Sequence, residues 1–180
     1  MSEFKLTKKR LGLLILITSV IFGIIAFFIS FKLKNLQSFG YLGVFLINLI
    51  GSATIIFPVP SLAATVAVGA ISSPILTALF SSLGSTLGEL TGYFAGKGGK
   101  EIMANNKKIE KVKKWMDKYG LWVVLVLAII PNPLFDMAGI ISGISKVPLK
   151  KYLLIVFVGK FIKFTIFAYT GFGFLKLLNI

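Results

Sequence analysis

The feature that most constrains this chain is a long stretch without charge. No Asp, Glu, Lys or Arg occurs between Lys34 and Glu89. A helix needs roughly 20 apolar residues to cross the hydrocarbon core of a bilayer, so this stretch holds more than one membrane-length segment. A soluble domain typically has about 45–50% apolar residues, whereas this chain of 180 residues is 56% hydrophobic. These patterns predict an all-α integral membrane protein.

The basic residues of the chain lie beside its apolar runs. The sequence has 20 Lys and Arg against 6 Asp and Glu, a net charge of +14. In a soluble protein this charge would indicate nucleic-acid binding, but its placement favours membrane topology and attraction to anionic headgroups. We therefore expect membrane lipids as partners and no nucleic acid. The sequence has no Cys and no His, so we expect no enzyme, no cofactor and no metal site.

Prolines divide the chain into segments. Residues 1–35 would form a basic cytoplasmic segment and a first transmembrane helix, and residues 36–180 a single membrane domain. Within that domain we expect broken hairpins at about 40–73 and 121–147, transmembrane helices at about 74–96 and 148–178, and an amphipathic linker at 97–118. The hairpin tips are Pro58, Pro60, Pro131 and Pro133. The linker is either an interfacial helix or a solvated cytoplasmic helix.

The distribution of Lys predicts how the segments are oriented. The amino terminus and the linker are both strongly basic, so both should lie on the cytoplasmic side. The first hairpin would then begin and end outside, and the second would begin and end inside. This is an inverted repeat of two re-entrant helical hairpins plus transmembrane helices. Irregular backbone at membrane depth must be covered by protein or line a cavity, so the tips, with Asn132, should line a buried site.

Four charged residues lie in apolar surroundings and are the candidate site. They are Glu89, Asp136, Lys160 and Lys163. Such residues are costly in a bilayer, usually face the interior, and mark paths for substrates or protons. Glu89 is expected to pair with Lys160 or Lys163, either as a structural ion pair or as a working proton or gating group. Asp136 is either part of that site or a cap for the second limb of its hairpin.

Glycines recur at every fourth position before the linker. They are Gly84, Gly88, Gly92 and Gly96. Small residues at this spacing form one helix face and let helices approach closely in membranes. We interpret them as helix-packing residues rather than as ligand contacts.

The stretch from Leu87 to Lys97, LGELTGYFAGK, resembles the DedA family, whose members are also called SNARE-associated or VTT-domain proteins. The turns at Phe57–Pro60 and Ile130–Gly139 are similar to the two hairpin turns of that family. The resemblance covers about Gly40 to Leu178 and implies two opposed re-entrant hairpins. It also implies lipid movement, because bacterial members are implicated in returning undecaprenyl phosphate and eukaryotic relatives scramble phospholipids.

The resemblance leads to a functional hypothesis. We expect a cell-membrane, multi-pass flippase or scramblase that moves a polyprenyl-phosphate carrier or a phospholipid, with a homo-oligomer as one possible assembly. Glu89 and Asp136 would serve in proton transfer or gating. The headgroup would bind to Lys160, Lys163 and Asn132. The arginines that many family members carry beside the second turn are absent here, so Lys160 and Lys163 would take their place as cations. The alternatives are a proton- or cation-coupled transporter of a small solute and a non-transporting scaffold for membrane assembly.

Overall fold

The computed structural model describes residues 37–53, 61–98, 107–132 and 134–177. Within these ranges the regular elements are all helices, as the sequence predicts. They are α1 (Gln37–Ala53), α2 (Ser61–Ile71), α3 (Pro74–Gly88), α4 (Leu90–Gly98), α5 (Lys107–Tyr119), α6 (Trp122–Ile129), α7 (Phe135–Ile144) and α8 (Leu149–Leu177). The expected first transmembrane helix and the tip prolines Pro58, Pro60 and Pro133 lie outside the described residues.

The outer faces of α1 and α8 are apolar. Along α8 the exposed residues recur every fourth position, at Leu154, Val158, Ile162 and Ile166. On α1 the same spacing exposes Leu42, Leu46 and Ile50. Hydroxyl and amide side chains are meanwhile fully buried, with Thr77, Ser81 and Asn48 among them. An extended apolar exterior around a partly polar interior is what a lipid environment requires and is unfavourable in water.

Helix α8 is the longest element. Its segment Leu149–Phe174 has 26 residues and at 1.5 Å per residue is about 39 Å long, more than the roughly 30 Å of a hydrocarbon core. In the described part of the chain it is the one helix that is long and apolar enough to cross a membrane by length and composition. The apolar segments Gly40–Ala53, Ser61–Ile71 and Phe135–Ile144 are shorter.

The helix expected over residues 74–96 is divided at Glu89 into α3 and α4. The backbone N–H of Glu89 donates to the Ser85 carbonyl at 3.2 Å, and the N–H of Tyr93 donates to the Glu89 carbonyl at 3.1 Å. The direction of the helix is therefore largely kept across a single turn residue. Gly88 and Gly92 flank this point on either side, and glycine is the weakest helix former after proline, which explains why the helix is interrupted here.

The two halves of the domain interlock at glycines. Helix α2 packs on α8, and α7 packs on α4. A Cβ added at Gly171 would meet the carbonyl of Val66, and one added at Gly96 would meet the carbonyl of Ile140. Val66 and Ile140 each lie eight residues before the proline that begins the long helix of their own half. Gly171 lies 23 residues after Pro148, and Gly96 lies 22 residues after Pro74. The same contact between a glycine of one half and a carbonyl of the other therefore occurs twice.

Helix α5 corresponds to the expected amphipathic linker. The side chains of Lys111, Lys113, Lys114 and Lys118 are exposed, and Lys114 pairs with Glu110 at 3.1 Å. On the other side, Val112 is completely buried in a core formed with α6, α7 and α8, and Trp115 and Met116 pack against that core. The apolar face of the linker is therefore used at least in part to cover protein.

Candidate functional site

The structure brings the four charged candidates into one cluster. Glu89 lies between α3 and α4, and its Oε1 is 2.6 Å from Nζ of Lys160 on α8. The two residues are only 4% and 2% exposed. Asp136 on α7 and Lys163 on α8 are half-buried and interact electrostatically with the pair. The cluster thus has an inner ion pair and two outer charges, and it draws on both halves of the domain.

The ammonium group of Lys160 is fully engaged. Besides Glu89, its Nζ donates to the Oγ of Ser85 at 2.5 Å, to the Ser85 carbonyl at 3.2 Å and to the Oγ of Ser52 at 3.3 Å. The Phe135 ring lies below the same nitrogen, with its centroid 4.9 Å away. An ammonium group has three N–H donors, all of which find acceptors here. The buried cation is therefore compensated by both charge and hydrogen bonds.

The side chain of Asp136 differs from that of Glu89 in its contacts. It makes no hydrogen bond, and no ion pair within 4.0 Å, with the described part of the chain. It lies in the first turn of α7, whose N-cap Leu134 has no side-chain cap bond. Asp136 is thus not the cap that the sequence analysis considered. Its half-buried carboxylate interacts with Lys160 and Lys163 only at longer range.

The second hairpin turn is organised by Asn132. Its Nδ2 donates to the carbonyls of Leu127 at 2.9 Å and Ile130 at 2.6 Å. Its Oδ1 accepts a hydrogen bond from the N–H of Leu134 at 2.9 Å. The side chain joins the end of α6 to the beginning of α7, while the adjacent Pro131 is exposed. Asn132 was predicted to bind a headgroup, and the structure places its amide on the backbone of the turn.

Three buried hydroxyl residues on the same helix face as Glu89 were not among the predicted site residues. Thr77, Ser81 and Ser85 precede Glu89 at intervals of four, and all four residues are buried. Thr65 extends this row, because its Oγ1 lies 2.9 Å from the Oγ of Ser81 and 3.4 Å from Nδ2 of Asn48. The spacing of four is the sequence signal for this row, since side chains four apart share a helix face, but the spacing does not show which face points inward.

Close helix contacts hold this row in place. A Cβ at Gly84 would meet the carbonyl of Phe45, and one at Gly88 would meet the carbonyl of Leu49. The backbones of α1 and α3 are thus in direct contact, which brings Ser52 to Ser85. Gly96 lies equally close to α7, whereas at Gly92 the nearest atom would be 4.0 Å away. Three of the four predicted packing glycines therefore lie at close helix contacts. Within the described ranges no three His, Cys, Asp or Glu residues are grouped to hold a metal ion.

The fold and the site define a helical membrane protein whose two halves are joined by a buried acid–base pair. The family model described as the VTT domain matches residues 59–173. This segment contains all four residues of the charge cluster. The chain belongs to the VTT-domain family, and this confirms the resemblance found in the stretch around Glu89.

Relatives of known sequence include membrane proteins from distant organisms. The chain is 29% identical over 150 residues to the uncharacterized membrane protein YbfM of Bacillus subtilis, covering 76% of this chain and 91% of that protein. It is 32% identical over 104 residues to the vacuole membrane protein KMS2 of Arabidopsis thaliana, covering 47% of this chain and 25% of that protein. The chain therefore spans about a quarter of the plant protein. No solved structure matches the chain.

Proposed function

We propose that this protein moves a phosphate-bearing lipid, a polyprenyl phosphate or a phospholipid, across the bilayer as a flippase or scramblase. The observation that carries the proposal is the buried pair of Glu89 and Lys160, which joins the two halves at 2.6 Å. Charged residues at membrane depth are expensive and are usually retained where a polar substrate or a proton passes. The outer charges, Asp136 and Lys163, extend the pair toward the surface of the domain.

An ion pair between two halves is suited to a transport cycle. Lys160 contacts Glu89 and Ser85 from the first half while standing on α8 of the second. Relative motion of the halves must exchange these contacts for others. An anionic headgroup offers such an exchange, because a phosphate can replace the carboxylate as the partner of the ammonium group. Lys163, which has no ion pair within the described residues, would provide the first contact.

We further propose the topology of an inverted repeat, with the amino terminus in the cytoplasm of a multi-pass cell-membrane protein. The duplicated glycine contacts of α2 with α8 and of α7 with α4 support this arrangement. Helices α2 and α7 have 11 and 10 residues, about half of what a full crossing needs. Exposed aromatic residues at the entrance of the second hairpin, Tyr119 and Trp122, are typical of a membrane interface.

Transport in vesicles tests the proposal. The protein is reconstituted into phosphatidylethanolamine–phosphatidylglycerol vesicles that contain NBD-labelled phosphatidylglycerol, and dithionite bleaches the outer-leaflet label. Protein-containing vesicles should lose more than the outer-leaflet half of the signal. The additional loss reports lipid that has moved from the inner to the outer leaflet. Lys163→Gln should slow this movement roughly ten- to 100-fold, as expected for losing a charged hydrogen bond of roughly 1.5–3 kcal/mol. Lys151→Gln, at an exposed position of the same helix, is the matched control and should transport normally.

The outcomes separate the proposal from its competitors. If geranylgeranyl phosphate competes with the labelled lipid while small solutes do not, a phosphate-bearing lipid is supported over a small solute. If vesicles with wild-type protein lose no more NBD signal than protein-free vesicles, the proposal of lipid transport is wrong. The non-transporting scaffold is then favoured. If the wild type transports and Lys163→Gln is equally fast, Lys163 does not contact the headgroup.

A further inference from the structure

A buried tyrosine hydroxyl beside the charge cluster has no hydrogen-bond partner among the residues that the structure describes. Tyr152, near the beginning of α8, is completely buried, and its Oη makes no hydrogen bond within the described part of the chain. Tyr93 stacks on it with ring centroids 5.2 Å apart, yet the Oη of Tyr93 donates to the Val147 carbonyl at 2.6 Å. Buried polar groups are rarely left unpaired, because losing water without a replacement is unfavourable. Of these two neighbouring tyrosines, only Tyr152 has a hydroxyl that makes no hydrogen bond with the described residues.

The unpaired hydroxyl faces a space created by a glycine. A Cβ added at Gly139 on α7 would lie 2.9 Å from the Oη of Tyr152 and 3.7 Å from Oε2 of Glu89. Both oxygens therefore lie within 4 Å of one point that no side chain fills. Oε2 is the carboxylate oxygen that Lys160 does not hold, since the ion pair is made through Oε1. Gly139 thus keeps a path open between the carboxylate and the phenol.

We propose that Tyr152 is the alternate partner of Glu89, which receives the carboxylate when Lys160 turns to the phosphate of a lipid headgroup. Tyrosine O–H donates well to a carboxylate, and such charge-assisted bonds are among the stronger ones. Without this partner the exchange would leave a buried carboxylate uncompensated, which is strongly unfavourable. Tyr152 then acts as a positioning residue for the headgroup-bound state, and Gly139 provides the room in which Glu89 moves. This inference rests on the proposed lipid transport.

Tyr152→Phe tests the inference because it removes only the hydroxyl. The resting protein loses no hydrogen bond, so its melting temperature should be unchanged or raised. The headgroup-bound state loses the partner of Glu89, so NBD-phosphatidylglycerol transport in vesicles of the same composition should slow about tenfold or more. Tyr93→Phe is the matched control: it removes the bond to Val147, so it should lower the melting temperature and leave transport by the folded protein unchanged.

Gly139→Ala provides a second, independent variant. Its methyl group occupies the open space and should block the movement of Glu89, so transport should fall as in Tyr152→Phe. Removal of the Tyr152 hydroxyl leaves the ring carbon at 3.9 Å from the added Cβ, an ordinary contact. The double variant Tyr152→Phe with Gly139→Ala should therefore fold and transport no more slowly than either single variant, because both changes remove the same step.

The results distinguish two kinds of failure. If wild-type protein does not move the labelled lipid, the proposed function is wrong. If the wild type transports and Tyr152→Phe transports as fast, the hydroxyl is only an unpaired group and the alternate-partner role is overturned. A fall in transport that merely follows a lower melting temperature, as a structural tyrosine would give, also overturns it.

Discussion

The pair of Glu89 and Lys160 can be tested by removing each partner in turn. Glu89→Gln leaves an ammonium group without a charged partner, and Lys160→Met leaves a carboxylate without one, for which the Tyr152 hydroxyl proposed above can offer a single hydrogen bond. The two residues differ in how many hydrogen-bond partners remain when the other is removed. Lys160 keeps Ser85 and Ser52 as acceptors after the carboxylate is lost, whereas the hydrogen bond that holds the Glu89 side chain in the described residues comes from Lys160 alone.

This asymmetry predicts the size of each effect. Removing one partner of a buried ion pair costs roughly 3–5 kcal/mol. We expect Glu89→Gln at the lower end, about 3 kcal/mol, and Lys160→Met at the upper end, about 5 kcal/mol. For a domain of this size, 1 kcal/mol lowers the melting temperature by roughly 2–4 °C, so the shifts are about 6–12 °C and 10–20 °C. The double variant replaces both charges and should return close to the wild-type value, because buried pairs are often replaceable.

Melting curves of detergent-purified protein, followed by size-exclusion fluorescence, provide the measurement, and vesicle transport provides the second readout. A larger loss for Glu89→Gln than for Lys160→Met would refute the reasoning about the serine acceptors. Additive losses in the double variant would show that the two charges do not compensate each other. A double variant that is stable and inactive supports a functional pair, whereas one that is stable and fully active shows that the pair is structural.

Two further predictions concern packing and orientation. Gly84→Ala should prevent folding or strongly lower the melting temperature, since its Cβ would strike the carbonyl of Phe45, while Gly43→Ala, with open space around it, should be neutral or stabilising by up to about 1 kcal/mol. Lys8→Cys and Lys108→Cys should both react with a membrane-impermeant maleimide only from the cytoplasmic side, and Asn35→Cys only from outside. Labelling of the two lysine positions from opposite sides would contradict the inverted repeat.

The sequence predicts the helical class and the members of the charge cluster, because charges in an apolar sequence are conspicuous and have few possible partners. It does not decide between Lys160 and Lys163 as the partner of Glu89. The two lysines are three residues apart on α8 and lie at adjacent positions along nearly the same side. The choice depends on how α8 is rotated against α3, and the structure places Lys160 rather than Lys163 beside Ser85 and Ser52.

The row of buried hydroxyls was missed for a related reason. Thr77 and Ser81 are common residues in membrane helices, and their periodicity becomes meaningful only when the helix face toward the interior is known. The contacts of Asn132 could not be predicted for a different reason. A polar residue at a proline-flanked tip suggests ligand binding, but the unpaired backbone groups at the ends of two short helices are nearer and compete for the same amide.

The two halves can be compared by counting residues from the prolines at the start of their long helices, Pro74 and Pro148. Glu89 and Lys163 both lie fifteen residues after such a proline, so a strict repeat would place them at equivalent positions. The residue that pairs with Glu89 lies twelve residues after its proline, where the first half has Thr86. Thr86 is buried and its hydroxyl has no hydrogen-bond partner among the described residues. Glycine contacts that fix the shape thus occur in both halves, whereas the acid and the base each occur once. This pair joins helices of the two halves, so motion of one half against the other would have to break it. If the protein moves a lipid as proposed, this pair is therefore the position where the transport cycle would be controlled.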